Sequence, residues 1–384
     1  MMDSYVVGLR RELHMYPGIG FDLDDTLRIL RRELDALGVE YTEEFGKSSI
    51  VATVNPEKTN FTIGVRADTD ALPIQEENDL PFKSRYDGKM HACGHDTHTA
   101  IAMNTLREVW AIRDKLNCRV KFIFQAAEEY EPSGAMLMAR DGVMKDIDCI
   151  IALHCDTNFT TGYVAMSEGP QNATSDGFML DFYGKAAHAA RQHHGIDANV
   201  MALRAFTDIE FMIAKTFSAK EPIIFNVGAI HGGVANNIIC DHCSMFCTLR
   251  TWNDKVAQTA IARIKKIIDC VAESAGGSAT YTQKKHYPII HNHPKMHALM
   301  RESAARALGE DKIKVNARGL GGEDFSYFAN EKPGCFIRLG VRPPDQESMI
   351  GVHNGRFNPD EDALEYGSKV MLQFILDHQN GIEF

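Results

Sequence analysis

The first part of the chain alternates amphipathic stretches with short apolar runs. Helical spacing of apolar residues is found at 4–15, 26–37 and 97–115, and short apolar runs typical of strands at 49–55, 62–67, 121–124 and 149–153. Helices that alternate with short apolar strands predict an α/β domain with a mainly parallel sheet. Ligands of such sheets bind at the carboxyl ends of the strands.

After residue 170 the pattern changes. Strand, helix, strand, strand, helix and strand are predicted in that order at 175–184, 195–214, 223–229, 238–252, 254–275 and up to about 284. This order indicates a small α+β domain with both helices on one face of an antiparallel sheet. Helix and strand patterns return at 297–308 and 335–339. We therefore predict a discontinuous catalytic domain, 1–173 and 283–384, with an inserted domain at 174–282.

Composition narrows the class of protein. The 384 residues exceed one ordinary core, and the net charge of −11 without a basic stripe argues against nucleic acid or an anionic membrane as a partner. No apolar run approaches the roughly 18 residues of a membrane span, and no signal peptide is visible. The nine scattered cysteines indicate reduced thiols and a cytoplasmic protein. Cys240, Cys243 and Cys247 are interpreted as strand and turn residues.

Sulfur, nitrogen and oxygen donors occur at strand ends and in turns that contain glycine. Cys93 and His95 flank Gly94, Glu128 and Glu129 follow an apolar run, His154 follows another, and His353 lies between glycines. Each feature alone is also typical of a buried cysteine, a core histidine or a solvated turn. Their joint placement favours a site where a divalent metal activates water.

Backbone geometry refines this hypothesis. In extended backbone, Cys93 and His95 face the same side, whereas adjacent Glu128 and Glu129 point apart. One glutamate can then ligate metal while the other serves as a base. If two metals bind, a thiolate or carboxylate has to bridge them, which leaves Cys93 or the glutamate that serves as ligand. Asp68 ends a predicted strand, where we expect it either to orient a metal ligand or to cap a turn.

Further motifs occur in order along nearly the whole chain. They are RADTDALP at 66–73, MHACGHD at 90–96, AEE at 127–129, GKAAH at 184–188, Gly232-Gly233 with Asn237, GEDF at 322–325 and HN at 353–354. Together they resemble the metallopeptidase family of aminoacylases and glutamate carboxypeptidases, specifically its amidohydrolase branch. That branch includes hippurate hydrolase, N-acyl-amino-acid deacylases and N-acetyldiaminopimelate deacetylase.

The resemblance implies a zinc-dependent exopeptidase-like catalytic domain with an inserted, ferredoxin-like dimerisation domain in a homodimer or higher homo-oligomer. It implies that two divalent ions are bound by the residues at matching positions, Cys93, His95, Glu129, His154 and His353. Glu128 would be the general base. The mixed donors suit Mn2+, Zn2+ or Co2+.

The inserted domain would also contribute to catalysis. The resemblance implies that His193 reaches a neighbouring active site and stabilises the oxyanion, and that Asn237 and Arg250 bind the substrate carboxylate. The position before His193, often proline in the family, is Gln192 here, and Cys240 also stands where proline is common. Because of these differences, the substrate preference of any one family member should not be assigned to this chain.

Several functions are compatible with these residues. The leading prediction is metal-dependent hydrolysis of the amide bond of N-acyl amino acids. A dipeptidase or carboxypeptidase would use the same residues. A noncatalytic metal- or ligand-binding protein would be expected to lack the base, whereas Glu128 is present. A hydrolase with Cys93 as nucleophile would be resistant to chelators.

Overall fold

The computed structural model describes residues 4–316 and 319–384. These residues divide into two compact units. The first contains the described parts of Met1–Gln171 and Ile290–Arg318 together with Asp324–Phe384, and the second contains Asn172–Ile289 and Gly319–Glu323. The predicted insert, 174–282, lies inside the second unit, which extends beyond it at both ends.

The strands are numbered in chain order through the described residues. They are β1 Glu40–Thr42, β2 Ile50–Val54, β3 Thr62–Asp68, β4 Arg119–Gln125, β5 Cys149–Thr160, β6 Val164–Met166, β7 Gly169–Pro170, β8 Ser175–Tyr183, β9 Ile223–Gly232, β10 His242–Thr251, β11 Ser278–Tyr287, β12 His291–Asn292, β13 Ile313–Val315 and β14 Gly334–Arg342.

The helices are numbered in the same way. They are α1 Tyr5–Met15, α2 Asp24–Leu37, α3 His95–Ala111, α4 Gly134–Arg140, α5 Ala198–Thr216, α6 Asp254–Ala275, α7 Pro294–Leu308, α8 Ser326–Ala329 and α9 Ala363–His378, with 3-10 turns at Arg113–Lys115, Ala189–His194 and Glu310–Lys312. None of the helices in 4–316 and 319–384 combines the length and the apolar character needed to cross a membrane.

The first unit is built on an eight-stranded sheet in the order β1-β2-β4-β3-β5-β14-β6-β13. At its centre, β4, β3, β5 and β14 are parallel to one another. Every residue of β3 and of β4 is buried, as expected where helices cover both faces of a parallel sheet. This confirms the predicted α/β class with a mainly parallel central sheet.

Alternate residues of the central strands face two separate clusters. Phe122 and Phe124 of β4 pack into the larger cluster with α1, α3 and α9, whereas Ile123 packs into a smaller cluster with α4 and α8. Both faces are apolar, and apart from Arg66 in β3 and Lys121 in β4 the polar residues of these two strands lie at or next to their ends. The carboxyl ends of β3 and β4 are adjacent, since Asp68 pairs with Gln125.

The second unit folds as strand, helix, strand, strand, helix and strand, the order predicted from its sequence. Its antiparallel sheet has the order β11-β8-β10-β9, which is ferredoxin-like, and α5 and α6 pack on one face of it. Asp197 begins α5 by accepting hydrogen bonds from Asn199 N and Val200 N, so this helix starts three residues later than predicted. The predicted strand at 238–252 is shortened to His242–Thr251.

Candidate metal centre

The carboxyl ends of the central strands carry the first polar residues of the site. Asp68 is the last residue of β3, and Gln125, the last of β4, leads into Glu128 and Glu129. On β5, the parallel pairing with β3 ends at Ala152, two residues before His154. The topology therefore brings three chain segments with donor groups to the same edge of the sheet.

The turn at Gly94 joins the thiol to this edge. Gly94 has φ of +94° and α3 begins at His95, so the extended backbone predicted for this stretch is wrong. A Cβ atom at position 94 would lie 3.1 Å from Cys155 Sγ, which explains the need for glycine. Cys93 Sγ nevertheless lies 3.4 Å from His154 Nε2. Three donor atoms, one from each of Cys93, His95 and His154, lie within 4.8 Å of one another.

The two adjacent glutamates do not point apart as predicted. An oxygen from each lies within 4.8 Å of the other and of a His95 nitrogen. The backbone is not extended here, because Ala127 has φ of +54°. The Asp70 carboxylate also binds this loop by accepting hydrogen bonds from Glu128 N at 2.9 Å and from Glu129 N at 3.1 Å.

His353 reaches the same place from a distant part of the chain. Its backbone N–H donates to Ala92 O at 2.7 Å, and its φ is +63°. Its Nε2 lies 2.8 Å from Glu129 Oε1. Donor atoms of Cys93, Glu129 and His353 form a second group within 4.8 Å, so Cys93 belongs to two donor groups.

Asp68 lies behind these donors. Its Oδ2 accepts a hydrogen bond from Arg66 at 2.9 Å and lies 3.7 Å from His95 Nε2, while its Oδ1 is 2.6 Å from His98 Nδ1. Burial alone would raise the pKa of Asp68, but His95, Arg66 and His98 hold that pKa well below its usual value. Asp68 is thus an anion that contacts the imidazole of His95.

The protonation chemistry of the donors fits a divalent cation. Burial raises the pKa of the Cys93 thiol to about 12, so a thiolate here requires a compensating positive charge. Burial keeps the pKa of His154 well below its usual value, which leaves a neutral imidazole with a free lone pair. Both nitrogens of buried His95 face carboxylates, with Nδ1 3.4 Å from Asp70 Oδ1 and Nε2 3.7 Å from Asp68 Oδ2. Burial would lower the pKa of His95, but Asp68 beside it raises that pKa well above its usual value, so a cation among these groups would compensate the thiolate and displace a proton from His95.

The remaining predicted residues belong to the second unit. His193 lies in the 3-10 turn Ala189–His194 and is exposed, and exposed Asn237 accepts a backbone hydrogen bond from Ala189 N through its carbonyl oxygen. Arg250 lies on β10 and donates to the carbonyl of Leu320. The two donor groups that contain Cys93 consist of residues of the first unit.

Sequence reasoning missed residues that organise the site. Arg66 donates to Asp68, to Gln125 Oε1 at 2.8 Å and to Asp324 Oδ1 at 2.7 Å, and all of these groups are buried. His98 and Asp70 also hold parts of the site by hydrogen bonds. The sequence feature that could have revealed Arg66 is a charged residue within an apolar strand pattern, because Arg66 lies among the strand residues Ile63, Val65 and Ala67.

A thiol, imidazoles and carboxylates that converge within a few ångströms are typical of the metal centre of a metal-dependent hydrolase. The similarity of this chain to known proteins agrees with this class. The family described as Peptidase family M20/M25/M40 matches residues 64–377. The chain belongs to this family and is a metal-dependent amidohydrolase.

Similar proteins cover nearly all of the chain. N-acetyldiaminopimelate deacetylase of Geobacillus sp. (strain WCH70) is 32% identical over 377 residues, 97% of this chain and 97% of that protein. Thermostable carboxypeptidase 1 of Saccharolobus solfataricus is 30% identical over 371 residues, 96% of this chain and 93% of that protein. The crystal structure of Bacillus subtilis YXEP, a dinuclear metal binding peptidase of the M20 family, has a TM-score of 0.83 and 28% identity, covering 98% of each chain.

Proposed function

We propose that this enzyme hydrolyses the amide bond of N-acyl amino acids, releasing a carboxylate and a free amino acid. The observation that carries the proposal is the membership of Cys93 in two donor groups, one with His95 and His154 and one with Glu129 and His353. Two groups that share a thiol suit two metal ions, and Glu128 then stays available beside them. The deacetylase named among the relatives supports an N-acyl substrate.

Five residues would hold the metals: Cys93, His95, Glu129, His154 and His353. Their mixed sulfur, nitrogen and oxygen donors suit Mn2+, Zn2+ or Co2+. When bound, divalent cations supply Lewis-acid activation of water and of the scissile carbonyl.

Glu128 is proposed as the general base. Its side chain is buried, and an oxygen of it lies within 4.8 Å of donor atoms of His95 and Glu129. The carboxylate would accept a proton from the attacking water and later return it to the leaving amine. Asp70 holds the backbone of both glutamates, so the positions of base and ligand depend on the same anchor.

The second unit is proposed to pair two subunits and complete each active site. His193 of one subunit would donate a hydrogen bond to the oxyanion in the other, and Asn237 with Arg250 would bind the substrate carboxylate. Arg250 suits this role because a guanidinium binds carboxylates through paired hydrogen bonds.

An apolar surface on this unit supports pairing with a second copy. Val200, Leu203 and Phe211 are 60%, 57% and 65% exposed and follow one face of α5. The neighbouring β9 is at the edge of its sheet, and it exposes Ile224 and Ile230. An exposed apolar helix face beside an open strand edge is typical of an interaction surface.

A carboxypeptidase or dipeptidase activity is the second candidate, because one relative is named a carboxypeptidase. The two functions differ in the chemical groups on either side of the amide bond that is cleaved. A panel of N-acetyl, N-benzoyl and longer N-acyl amino acids, tested beside dipeptides and N-blocked dipeptides, separates them when Mn2+ and Zn2+ are supplied in separate reactions. Turnover of N-acyl amino acids above that of all peptides supports the proposal, and the reverse order favours the peptidase.

The roles of the glutamates are tested by a matched pair of variants. Glu128→Gln should retain two metals per subunit while kcat falls by at least about 10²-fold, the usual lower scale for loss of a general base. Glu129→Gln should instead lose metal. Metal analysis after gel filtration decides between them, and loss of metal from Glu128→Gln with full retention by Glu129→Gln would reverse the assignment.

The trans arrangement is tested by mixing two inactive variants. His193→Ala should bind metal normally but lose most of its turnover, because an oxyanion donor is worth roughly 2.7–4 kcal/mol. Mixed with Glu128→Gln subunits, it should regain activity, since one site of each heterodimer holds both intact residues. Heterodimers confirmed by mass spectrometry that remain inactive would contradict the arrangement, as would a monomer at assay concentration.

A further inference from the structure

His98 is a buried histidine whose two nitrogens are both engaged by the protein. Its Nε2 accepts a hydrogen bond from the backbone N–H of Cys155 at 2.9 Å. The proton of the neutral ring therefore sits on Nδ1, which donates to Asp68 Oδ1 at 2.6 Å. Neither nitrogen keeps a lone pair for a metal, so His98 is not a ligand. This holds although one of its ring nitrogens lies within 4.8 Å of a donor atom of Asp68 and of one of His95.

The peptide of Cys155 connects His98 to a proposed ligand. The carbonyl of Cys155 accepts a hydrogen bond from His154 Nδ1 at 2.7 Å. A carbonyl can only accept, so Nδ1 of His154 carries the proton and Nε2 keeps the lone pair. That Nε2 faces Cys93 Sγ at 3.4 Å.

The other end of this chain of hydrogen bonds is fixed to the sheet. Asp68 Oδ2 accepts from Arg66, a buried β3 residue that also donates to Gln125 at the end of β4. The side chains of Arg66 and Asp68 have no exposed surface, and His98 is 1% exposed. The anchor is therefore buried and tied by hydrogen bonds to the ends of two central strands.

We propose that His98 is a positioning residue: by holding the Cys155 peptide against Asp68, it fixes the ring orientation and tautomer of His154 for metal binding. The inference rests on the proposed function, in which His154 is a ligand. It goes beyond that function, because His98 is not one of the proposed ligands and acts on His154 through the Cys155 peptide, with the two rings also packed at a centroid distance of 4.6 Å. Groups that orient metal ligands in this way typically contribute 10- to 100-fold to metal affinity.

Two substitutions each keep one of the two hydrogen bonds of His98 and remove the other. In His98→Gln, the amide oxygen can replace Nε2 and accept from Cys155 N–H. In His98→Asn, the amide N–H can replace Nδ1 and donate to Asp68, but the side chain is too short to reach Cys155. Thr105→Ala is the matched control, because Thr105 is buried in the same helix and its hydroxyl donates to Ile101 O within that helix.

The readouts are metal affinity, by competition with a chelator, and the absorption spectrum of the Co2+-loaded protein. We expect His98→Asn to weaken binding of one metal by roughly 10- to 100-fold and to alter the Co2+ bands. His98→Gln should retain more affinity than His98→Asn, and Thr105→Ala should match the parent protein. Wild-type affinity and spectrum in His98→Asn would overturn the inference.

Two further measurements separate the possible failures. If His98→Asn does not fold, His98→Gln decides, because it keeps the bond to Cys155 but loses the bond to Asp68: a measurable loss of affinity with altered Co2+ bands supports the inference, and parental affinity and bands overturn it. His154→Ala tests the proposed ligand itself. If that variant binds two metals with parental affinity, the ligand assignment fails, whereas loss of a metal in His154→Ala without any loss in His98→Asn refutes only the role of His98.

Discussion

Replacing Asp70 with asparagine should loosen the loop that carries both glutamates. Each Asp70 oxygen accepts one backbone hydrogen bond, from Glu128 N at 2.9 Å and from Glu129 N at 3.1 Å. Asparagine keeps one acceptor oxygen and presents an amide N–H to the other donor. A hydrogen bond to a charged group is worth about 1.5–3 kcal/mol, which corresponds to roughly a 10- to 150-fold change in local opening.

Amide hydrogen exchange of the metal-free protein measures this opening. In Asp70→Asn, the amide of Glu128 or of Glu129 should exchange roughly 10- to 150-fold faster. Asp148→Asn is a matched control, because Asp148 Oδ2 accepts from Thr62 N at 2.8 Å, at the start of β3. It should accelerate exchange at Thr62 and leave both glutamate amides unchanged. Parental exchange at both glutamate amides in Asp70→Asn would refute the anchoring role of Asp70.

Three other predictions concern charge. Arg66→Met removes a buried guanidinium that contacts both Asp68 and Asp324, so urea denaturation of the metal-free protein should show a loss of about 3–5 kcal/mol. An unchanged midpoint would contradict the importance of these pairs. Because burial raises the pKa of Cys93 and metal binding displaces its proton, metal affinity should rise at least about tenfold per pH unit between about pH 6 and pH 8, and more steeply if His95 also releases a proton. An affinity that does not depend on pH in chelator competition would argue against thiolate ligation. Burial alone would raise the pKa of Asp96, but Arg10 beside it lowers that pKa, so its stabilisation is complete above about pH 4 and is lost as the pH falls. Asp96→Asn should therefore show a weaker dependence of stability on pH in acid titrations, and an unaltered acid-unfolding curve would count against this pair.

The fold class could be predicted from the sequence because it depends on local periodicity. The short apolar runs become β3, β4 and β5, and the change of pattern after residue 170 becomes the antiparallel sheet of the second unit. Element boundaries were less accurate where caps decide them. The predicted helix at 97–115 begins at His95 and ends at Ala111, followed by a separate 3-10 turn.

The candidate donors could also be found from the sequence, since donors at strand ends must lie at one edge of a parallel sheet. Their geometry could not. Positive φ angles at Gly94, Ala127 and His353 redirect the backbone at three donor-bearing segments. Such angles depend on contacts made elsewhere, such as the hydrogen bond from His353 N to Ala92 O.

The supporting residues were determined only by the tertiary structure. In sequence, Asp70 is one acid of a pair, and nothing local connects it with Glu128, 58 residues away. His98 likewise meets the Cys155 peptide across 57 residues. Hydrophobic periodicity determines which side of a strand or helix is buried, but it contains no information about which buried polar groups meet. Those pairings follow from the spatial order of the strands in the sheet. Each buried donor needs an acceptor, and that acceptor comes from the segment that the sheet places beside it.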